Sequence, residues 1–488
     1  MICISVTPES RNFAKVDILN AAAQSDMVEL CLDRLIKTPD IGDLISGFET
    51  PILVSCRTPE EGGQFKGTES ERIQLLKQAI IAEPAYIELD LEIAKQIPRF
   101  GKTKRVISYT SLKKPLSQVD DIFDEMADAK ADVIKFTWPT PSLQTAWPLL
   151  AAISQKREIP VVGLGLGAAG ITFSLLGMKY GSPWVYAALE KGMEAFEGQP
   201  TVAELDEVYH YKKISAQTRF IGVAGLGVAE RRTIEVFNKA SEQLGLDYTC
   251  LPLVINDFKQ VHKMLGILKI RSLVVSPRMG EFILPLAEHL EESSQQTGYG
   301  DLQLNQPDGW HAYDTVRRSA IKSLEATLEQ KSSGANQAFQ RKNILVLGQS
   351  GLTKAIVFSL TQQGAVVSVT SQNDKAAQGI ARTFDVRYVP FANLYDTLTD
   401  VVVQTDPDLK LGHGKENLNP AYLRESMTVM DISQLPEETE LMREAEGRGC
   451  AVVCVDEVYR KQLSQIFKAI TGVEIPDAIF ESRSEYTR

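Results

Sequence analysis

No run of apolar residues in this chain is long enough to cross a bilayer, which argues against a helical membrane protein. A basic surplus is absent too. Lys and Arg number 52 against 63 Asp and Glu, a net charge of −11, and this argues against a nucleic-acid partner. Cysteine is sparse, six in 488 residues, and no two form a C-x-x-C pair. Reduced thiols of a cytoplasmic protein are expected, with no disulfide framework and no metal site. Cys450 and Cys454 are expected on one buried strand. The N-terminus lacks the charged n-region and apolar h-region of a signal peptide, and Met1-Ile2-Cys3-Ile4-Ser5-Val6 opens directly on a strand pattern. There is no internal repeat and no low-complexity tract. What remains is ordinary globular composition, 44% apolar and 24% charged, over a length that needs two or three domains.

Strand and helix patterns alternate through the first two hundred residues. The strand-like runs are Ile2–Val6, Val28–Asp33, Ile52–Arg57, Tyr86–Leu91, Arg105–Thr110, Val133–Trp138, Ile159–Gly165 and Trp184–Leu189. Helical patterns such as Glu69–Ala82 and Ser117–Ala129 lie between them, and Thr201–Ile214 reads as a closing helix. Eight β/α units in this length are the signature of a (β/α)8 TIM barrel, whose active site sits at the C-terminal ends of its strands.

Ala131-Asp132-Val133-Ile134-Lys135-Phe136 is the stretch of most chemical interest. One lysine sits among residues that favour burial. Lost hydration favours the neutral amine, which can attack a ketone and form a Schiff base. A strand-end lysine that reaches water by its stem is the other reading. Glu29, Arg57, Glu61 and Thr110 fall near the C-terminal ends of their own strand patterns. Arg57 and Glu61 also suit a structural ion pair.

A second alternating series starts at Phe220. Its strands are Phe220–Ala224, Tyr248–Leu253 and Ser272–Ser276. Glu292–Gly309 is polar and reads as a loop, Tyr313–Gln330 as a helix, and Lys331–Asn336 as a linker. Asn343-Ile344-Leu345-Val346-Leu347-Gly348-Gln349-Ser350-Gly351 then gives a strand, a tight turn and a helix start, the opening of a Rossmann-like unit. Its glycine fingerprint is thin, and a turn without nucleotide fits it as well.

Several segments carry a resemblance. Val28-Glu29-Leu30-Cys31-Leu32-Asp33, Arg57-Thr58-Pro59-Glu60-Glu61-Gly62-Gly63, Ser108-Tyr109-Thr110, Lys135, Gly170-Ile171-Thr172-Phe173-Ser174, Gly181-Ser182 and Glu197-Gly198-Gln199 follow motifs of the type I 3-dehydroquinate dehydratases. The remainder is similar to shikimate dehydrogenase, so the order of the two parts resembles the bifunctional shikimate-pathway fusion. The resemblance implies a barrel over 1–215, a substrate-binding lobe over 219–335, a Rossmann-like NADP lobe over 342–455 and a returning C-terminal helix over 456–488.

It also implies roles. Lys135 would form the Schiff base with a cyclic hydroxy-keto acid, with Glu61 and Thr110 in the catalytic set and no cofactor in the barrel. Glu29, Arg57, Gln199 and Ser174 would line the substrate site. Three departures stand out: Thr110 replaces the catalytic histidine, Ser174 the arginine that clamps the substrate carboxylate, and Cys31 a further arginine. In the second half Thr233, Asn238, Asp314 and Gln462 fall at substrate positions, while Gly348, Ser350, Gly351 and Gln372 fall at NADP positions. There Arg231 and Thr233 stand for two serines, Met279 for the catalytic lysine, and Gln372 for the arginine that reads the 2′-phosphate. Asp431, Thr439, Leu441 and Gln462 keep the family's C-terminal pattern. Three readings stay open: a shikimate-pathway enzyme active at least in the barrel, a catalytically impaired homologue that binds a ligand or regulates, and a Schiff-base lyase with a changed substrate.

Overall fold

The computed structural model describes residues 1–116, 118–331, 338–414 and 416–481. Residues 332–336 of the expected linker, and Ser117 of an expected helix, lie outside the described residues. The chain divides into two compact units. The first comprises Met1–Leu226, Ile234–Asp257 and Ile267–Lys269. The second comprises Gly227–Thr233, Phe258–Gly266 and the described residues from Ile270 onward.

In the first unit eight parallel strands form the barrel: β1 Ile2–Val6, β2 Met27–Cys31, β3 Ile52–Ser55, β4 Tyr86–Asp90, β5 Lys104–Thr110, β6 Val133–Pro139, β7 Val161–Leu166 and β8 Val185–Ala187. Their order is β7-β6-β5-β4-β3-β2-β1-β8, and β7 comes into contact with β8, so the ring nearly closes. Helices fill the connections. Glu69–Ile81, for example, starts at a capping box in which Thr68 and Glu71 each satisfy a backbone N–H of the other.

Alternation along the strands sorts the interior into layers. Cys3, Met27, Leu53, Val106, Val133, Val162 and Trp184 form an apolar floor, and Tyr86 packs against it. Burying each large apolar side chain stabilises the fold by about 1.5–3 kcal/mol. Two residues further along each strand, on the same face, stand Ser5, Glu29, Ser55, Glu88, Ser108 and Lys135, all buried. This polar layer lies toward the C-terminal ends of the strands.

The same unit contains β9 Arg219–Ala224 and β10 Tyr248–Leu253, paired in parallel. The expected closing helix over 201–214 is not continuous. A wide turn at Glu204–Val208 and a 3-10 turn at Tyr211–Lys213 replace it, because His210 takes a left-handed conformation at φ 47° and breaks the ladder.

In the second unit β11 Ser272–Val275, β13 Leu302–Gln306 and β14 Gly309–Tyr313 are antiparallel neighbours in that order, and β12 His289–Leu290 lies parallel to β14. The expected loop at Glu292–Gly309 is instead the helix Glu292–Thr297 followed by β13, whose hairpin turn is Pro307-Asp308. Strand pairing and burial of Leu302 and Gln303 override the polar composition there. The helix expected from Tyr313 starts at Thr315, since Tyr313 is the last residue of β14.

Six parallel strands follow: β15 Asn343–Leu347, β16 Val366–Thr370, β17 Arg387–Tyr388, β18 Val401–Gln404, β19 Thr428–Asp431 and β20 Ala451–Val452. Their order, β17-β16-β15-β18-β19-β20, is the doubly wound Rossmann arrangement. Cys450 and Cys454 do not share a strand. β20 spans two residues between them, Cys450 is buried, and exposed Cys454 precedes the helix Val455–Thr471. That helix packs on Thr315–Lys331, where Gln465 donates to the Ser319 hydroxyl at 3.1 Å and Lys461 to Ser323 at 3.1 Å. Among the described residues no helix is long and apolar enough to cross a membrane.

Candidate functional site

Lys135 is the third residue of β6, and the strand alternation that sends Ile134 and Phe136 outward turns it into the barrel. Its amine is fully buried and lies 3.1 and 3.0 Å from the two carboxylate oxygens of Glu88 on β4. Arg57 reaches the same carboxylate from the end of β3, donating at 3.3 and 3.2 Å, and also pairs with Glu29. The Ser5 hydroxyl donates to Glu29 at 2.7 Å and accepts from the Gln199 amide at 3.0 Å. One connected network thus joins Lys135, Glu88, Arg57, Glu29, Ser5 and Gln199.

Burial dominates the electrostatics of the lysine. It lowers the Lys135 amine, the Arg57 guanidinium lowers it further, and the Glu88 carboxylate opposes both, leaving it at about 8. Burial alone would raise Glu88, but Arg57 and Lys135 outweigh it and hold the carboxyl below its ordinary range. The result is an amine that gives up its proton at lower pH than an ordinary lysine, beside an anion that stays charged.

Above this layer Phe196 forms a cover. Its ring centre lies 4.5 Å from the Arg57 guanidinium carbon and 5.2 Å from the Lys135 nitrogen. On its other side is a cavity of about 560 Å³ at the barrel mouth, lined by Gly62, Leu112, Pro139, Leu166, Phe196 and Glu197 among others. Phe196 belongs to a loop between Gly192 and Gly198, both at positive φ. At Gly198 a Cβ would stand 2.1 Å from the Gly167 carbonyl oxygen, so glycine is needed there for close approach.

Three expected barrel residues stand apart from the network. Glu61 was expected beside Lys135. It turns back instead to accept from the Thr58 N–H at 3.0 Å, and buried Arg72 pairs with it at 3.0 Å. The capping box of the Pro59–Glu61 turn fixes that orientation. Ser174 is buried on the helix Gly170–Lys179, and its hydroxyl donates to the Gly170 carbonyl at 3.4 Å. Thr110 ends β5, half-buried, in register with Thr137 on β6. Thr137 is fully buried and its hydroxyl has no hydrogen-bond partner. Two hydroxyls therefore stand where the family resemblance places an imidazole. Cys31 accepts weakly from Ser55 at 3.6 Å and from Arg57 at 3.7 Å, and burial pushes its thiol up.

Sequence reasoning missed Glu88, Ser5 and Phe196. The only signal for Glu88 was its place two residues after Tyr86 on the inward face of a strand.

The expected substrate residues of the second half are occupied within the fold. Asn238 is in the first unit, where its amide clamps the backbone of Cys250, donating to the carbonyl at 3.0 Å and accepting from the N–H at 2.5 Å. Thr233 lies in the second unit, buried against the Tyr459 hydroxyl at 2.8 Å. Arg231, which stands for a serine of the family, is exposed, because a long stem carries its charge to water. Asp314 caps the helix Thr315–Lys331 and pairs with Arg317 at 2.7 Å. Burial first, then neighbouring Asp301, pushes the Asp314 carboxyl up to about 7 against Arg317. Gln462 donates to Asp301 at 3.1 Å. Met279 is half-buried in the turn Pro277–Met279.

At the Rossmann turn Gly348 has φ 152°, and a Cβ there would stand 2.2 Å from the Thr405 hydroxyl oxygen. Ser350 caps the helix Gly351–Gln362. The first N–H groups of that helix are the donors this fold offers to a pyrophosphate. Here the Ser350 N–H donates to the Thr353 hydroxyl at 3.0 Å, and the Gly351 N–H to the carboxylate of exposed Glu281. Gln372 is exposed and donates to the Glu416 carbonyl.

Residues 2–216 match the family model of the type I 3-dehydroquinases. The bifunctional 3-dehydroquinate dehydratase/shikimate dehydrogenase, chloroplastic, of Arabidopsis thaliana is 22% identical, over 98% of this chain and 83% of its own length. The shikimate biosynthesis protein AroDE of Chlamydia pneumoniae is 24% identical, over 95% and 93%. Among solved structures, the dehydroquinate dehydratase and shikimate dehydrogenase of S. pombe AroM covers 98% of this chain and 97% of its own at 19% identity, with a TM-score of 0.44. Residues 2–216 thus match the type I 3-dehydroquinase family model, and the chain is similar over nearly its whole length to bifunctional 3-dehydroquinate dehydratase/shikimate dehydrogenases.

Proposed function

We propose that the barrel condenses Lys135 with the ketone of a cyclic hydroxy-keto acid of the 3-dehydroquinate type, that its dehydration step is slow, and that the C-terminal half does not carry out NADP-dependent reduction to shikimate. The buried Lys135–Glu88–Arg57 cluster carries this reading. The neutral amine attacks the carbonyl carbon, the carbinolamine loses water, and the resulting iminium draws electrons from the adjacent C–H bond. Arg57 and Gln199 are suited to hold the substrate's oxygens, and Phe196 must swing aside to admit it.

The following step needs a base for the C–H proton and an acid for the departing hydroxyl. A histidine supplies both poorly separated tasks in one ring near neutral pH. The hydroxyls of Thr110 and Thr137 have far too high a pKa to do so, and the reaction slows at the iminium. Loss of the carboxylate clamp at Ser174 weakens substrate orientation further.

In the second half the residues do not fit NADP. The helix N-terminus already serves Glu281 and Thr353, and Gln372 brings no charge for a 2′-phosphate. Met279 offers neither proton nor charge. We assign 1–215 to the barrel, 219–335 to the substrate-type lobe, 342–455 to the Rossmann lobe and 456–488 to the returning segment.

A ligand-binding or regulatory role without turnover is the second reading, favoured by the same missing imidazole. Incubation with 3-dehydroquinate and borohydride, followed by mass spectrometry, tests the proposal. A reduced adduct on Lys135, absent from folded Lys135→Ala, is expected. No adduct on the wild-type chain would overturn it.

A further inference from the structure

We infer that His289, Asp308 and His311 form a binding site for a late first-row divalent cation of the zinc type. Two strands and one turn build it. β12 and β14 run parallel with His289 directly opposite His311, so both imidazoles project from one face. Their rings stack with centres 4.5 Å apart. Asp308 sits in the two-residue turn between β13 and β14, preceded by Pro307 and followed by Gly309 at φ 130°, which fixes the backbone that carries its carboxylate.

The three side chains converge. The His311 Nε2 lies 2.9 Å from one Asp308 oxygen, and the His289 Nε2 lies 3.5 Å from the other. His289 Nε2 is also 3.0 Å from the Asp308 carbonyl oxygen. One ligand atom from each residue falls within 4.8 Å of the other two. Zinc–ligand bonds near 2.0–2.1 Å put tetrahedral ligands about 3.3 Å apart, so a contraction of at most about 1.5 Å completes the set. The side chains of His289 and Asp308 are 45% and 60% exposed, which leaves them room to make that adjustment.

Two imidazoles and one carboxylate select zinc, nickel or copper over magnesium and calcium, which take oxygen ligands. Water completes the fourth position. The C-x-x-C criterion applied to the sequence could not find this site, because its ligands are spread over the 23 residues His289–His311 and contain no thiol. The bound ion would tie the two-residue strand β12 to the β13–β14 hairpin.

The tag-free full chain, stripped with a chelator, is titrated with Zn²⁺ against a chromophoric competitor and with Co²⁺ by visible absorption. One equivalent is expected to bind with a Co²⁺ ligand-field band. His289→Ala, His311→Ala and Asp308→Asn should each weaken binding by at least about tenfold, the lower end of what even outer-sphere losses cost. Circular dichroism checks that each variant is folded. A wild type that binds no more tightly than the folded double variant His289→Ala/His311→Ala, or that lacks the Co²⁺ band, would overturn the assignment.

Discussion

The Lys135 amine and the Glu88 carboxylate are 47 residues apart in the chain and 3.0 Å apart in the barrel, with the lysine wholly removed from water. Such a pair is costly to assemble and costlier to break, because removing one partner strands a buried charge. Glu88→Gln leaves the buried Lys135 amine without its carboxylate partner and Arg57 with Glu29 alone. We expect it to lower unfolding free energy by about 3–5 kcal/mol in urea denaturation. Adding Lys135→Met should recover part of that loss. A shift below about 1 kcal/mol, the range of an exposed pair, would show that water reaches the cluster.

Adduct formation should follow the ionisation of Lys135. Burial and Arg57 depress the amine to about 8, so the charged form prevails below that pH and the neutral, nucleophilic form above it. The rate of cyanoborohydride-trapped adduct should rise about tenfold per unit from about pH 6 and level off above about 8. A profile still climbing steeply toward the ordinary lysine range would mean that the amine is not depressed.

Thr110→His should raise conversion of 3-dehydroquinate to the enone, followed by ultraviolet absorbance. Positioned acid–base groups contribute about 10²–10⁴-fold. The gain expected here is at the low end or below, at least about tenfold, since Ser174 still provides no clamp. Equal rates for the two proteins would place the deficit elsewhere.

Glu281→Ala frees the Gly351 N–H at the start of the Rossmann helix. NADPH affinity, measured by fluorescence titration, should tighten by at least about tenfold, or about 1.4 kcal/mol. Unchanged affinity would absolve Glu281, and tight binding by the wild type would refute the proposed loss of cofactor.

How much of this was legible in the sequence depended on range. The eight barrel strands and the inward turn of Lys135 follow from period-two alternation, which is local. The motif residues Glu29, Arg57 and Gln199 also join the network that contains Lys135. Glu88 escaped notice because nothing in Tyr86-Ile87-Glu88-Leu89-Asp90 distinguishes an ion partner from an exposed acid until the barrel curls β4 toward β6. Glu61 misled for the converse reason, since a capping box and Arg72 claimed it locally. The break at His210 and the strand at Leu302–Gln306 escaped notice because backbone strain and tertiary pairing outweigh composition. Glu281 meets Gly351 across 70 residues and left no trace in either motif.

The distribution of thiols gives the molecule a built-in reporter. Cys3, Cys31, Cys56, Cys250 and Cys450 are buried, and burial pushes the first four upward, away from the reactive thiolate. Cys454 alone is exposed, immediately before the helix Val455–Thr471. One equivalent of a maleimide dye should therefore attach at a single position without any substitution, giving a fluorophore at the entrance to the returning helix whose anisotropy can follow ligand titrations of the native chain.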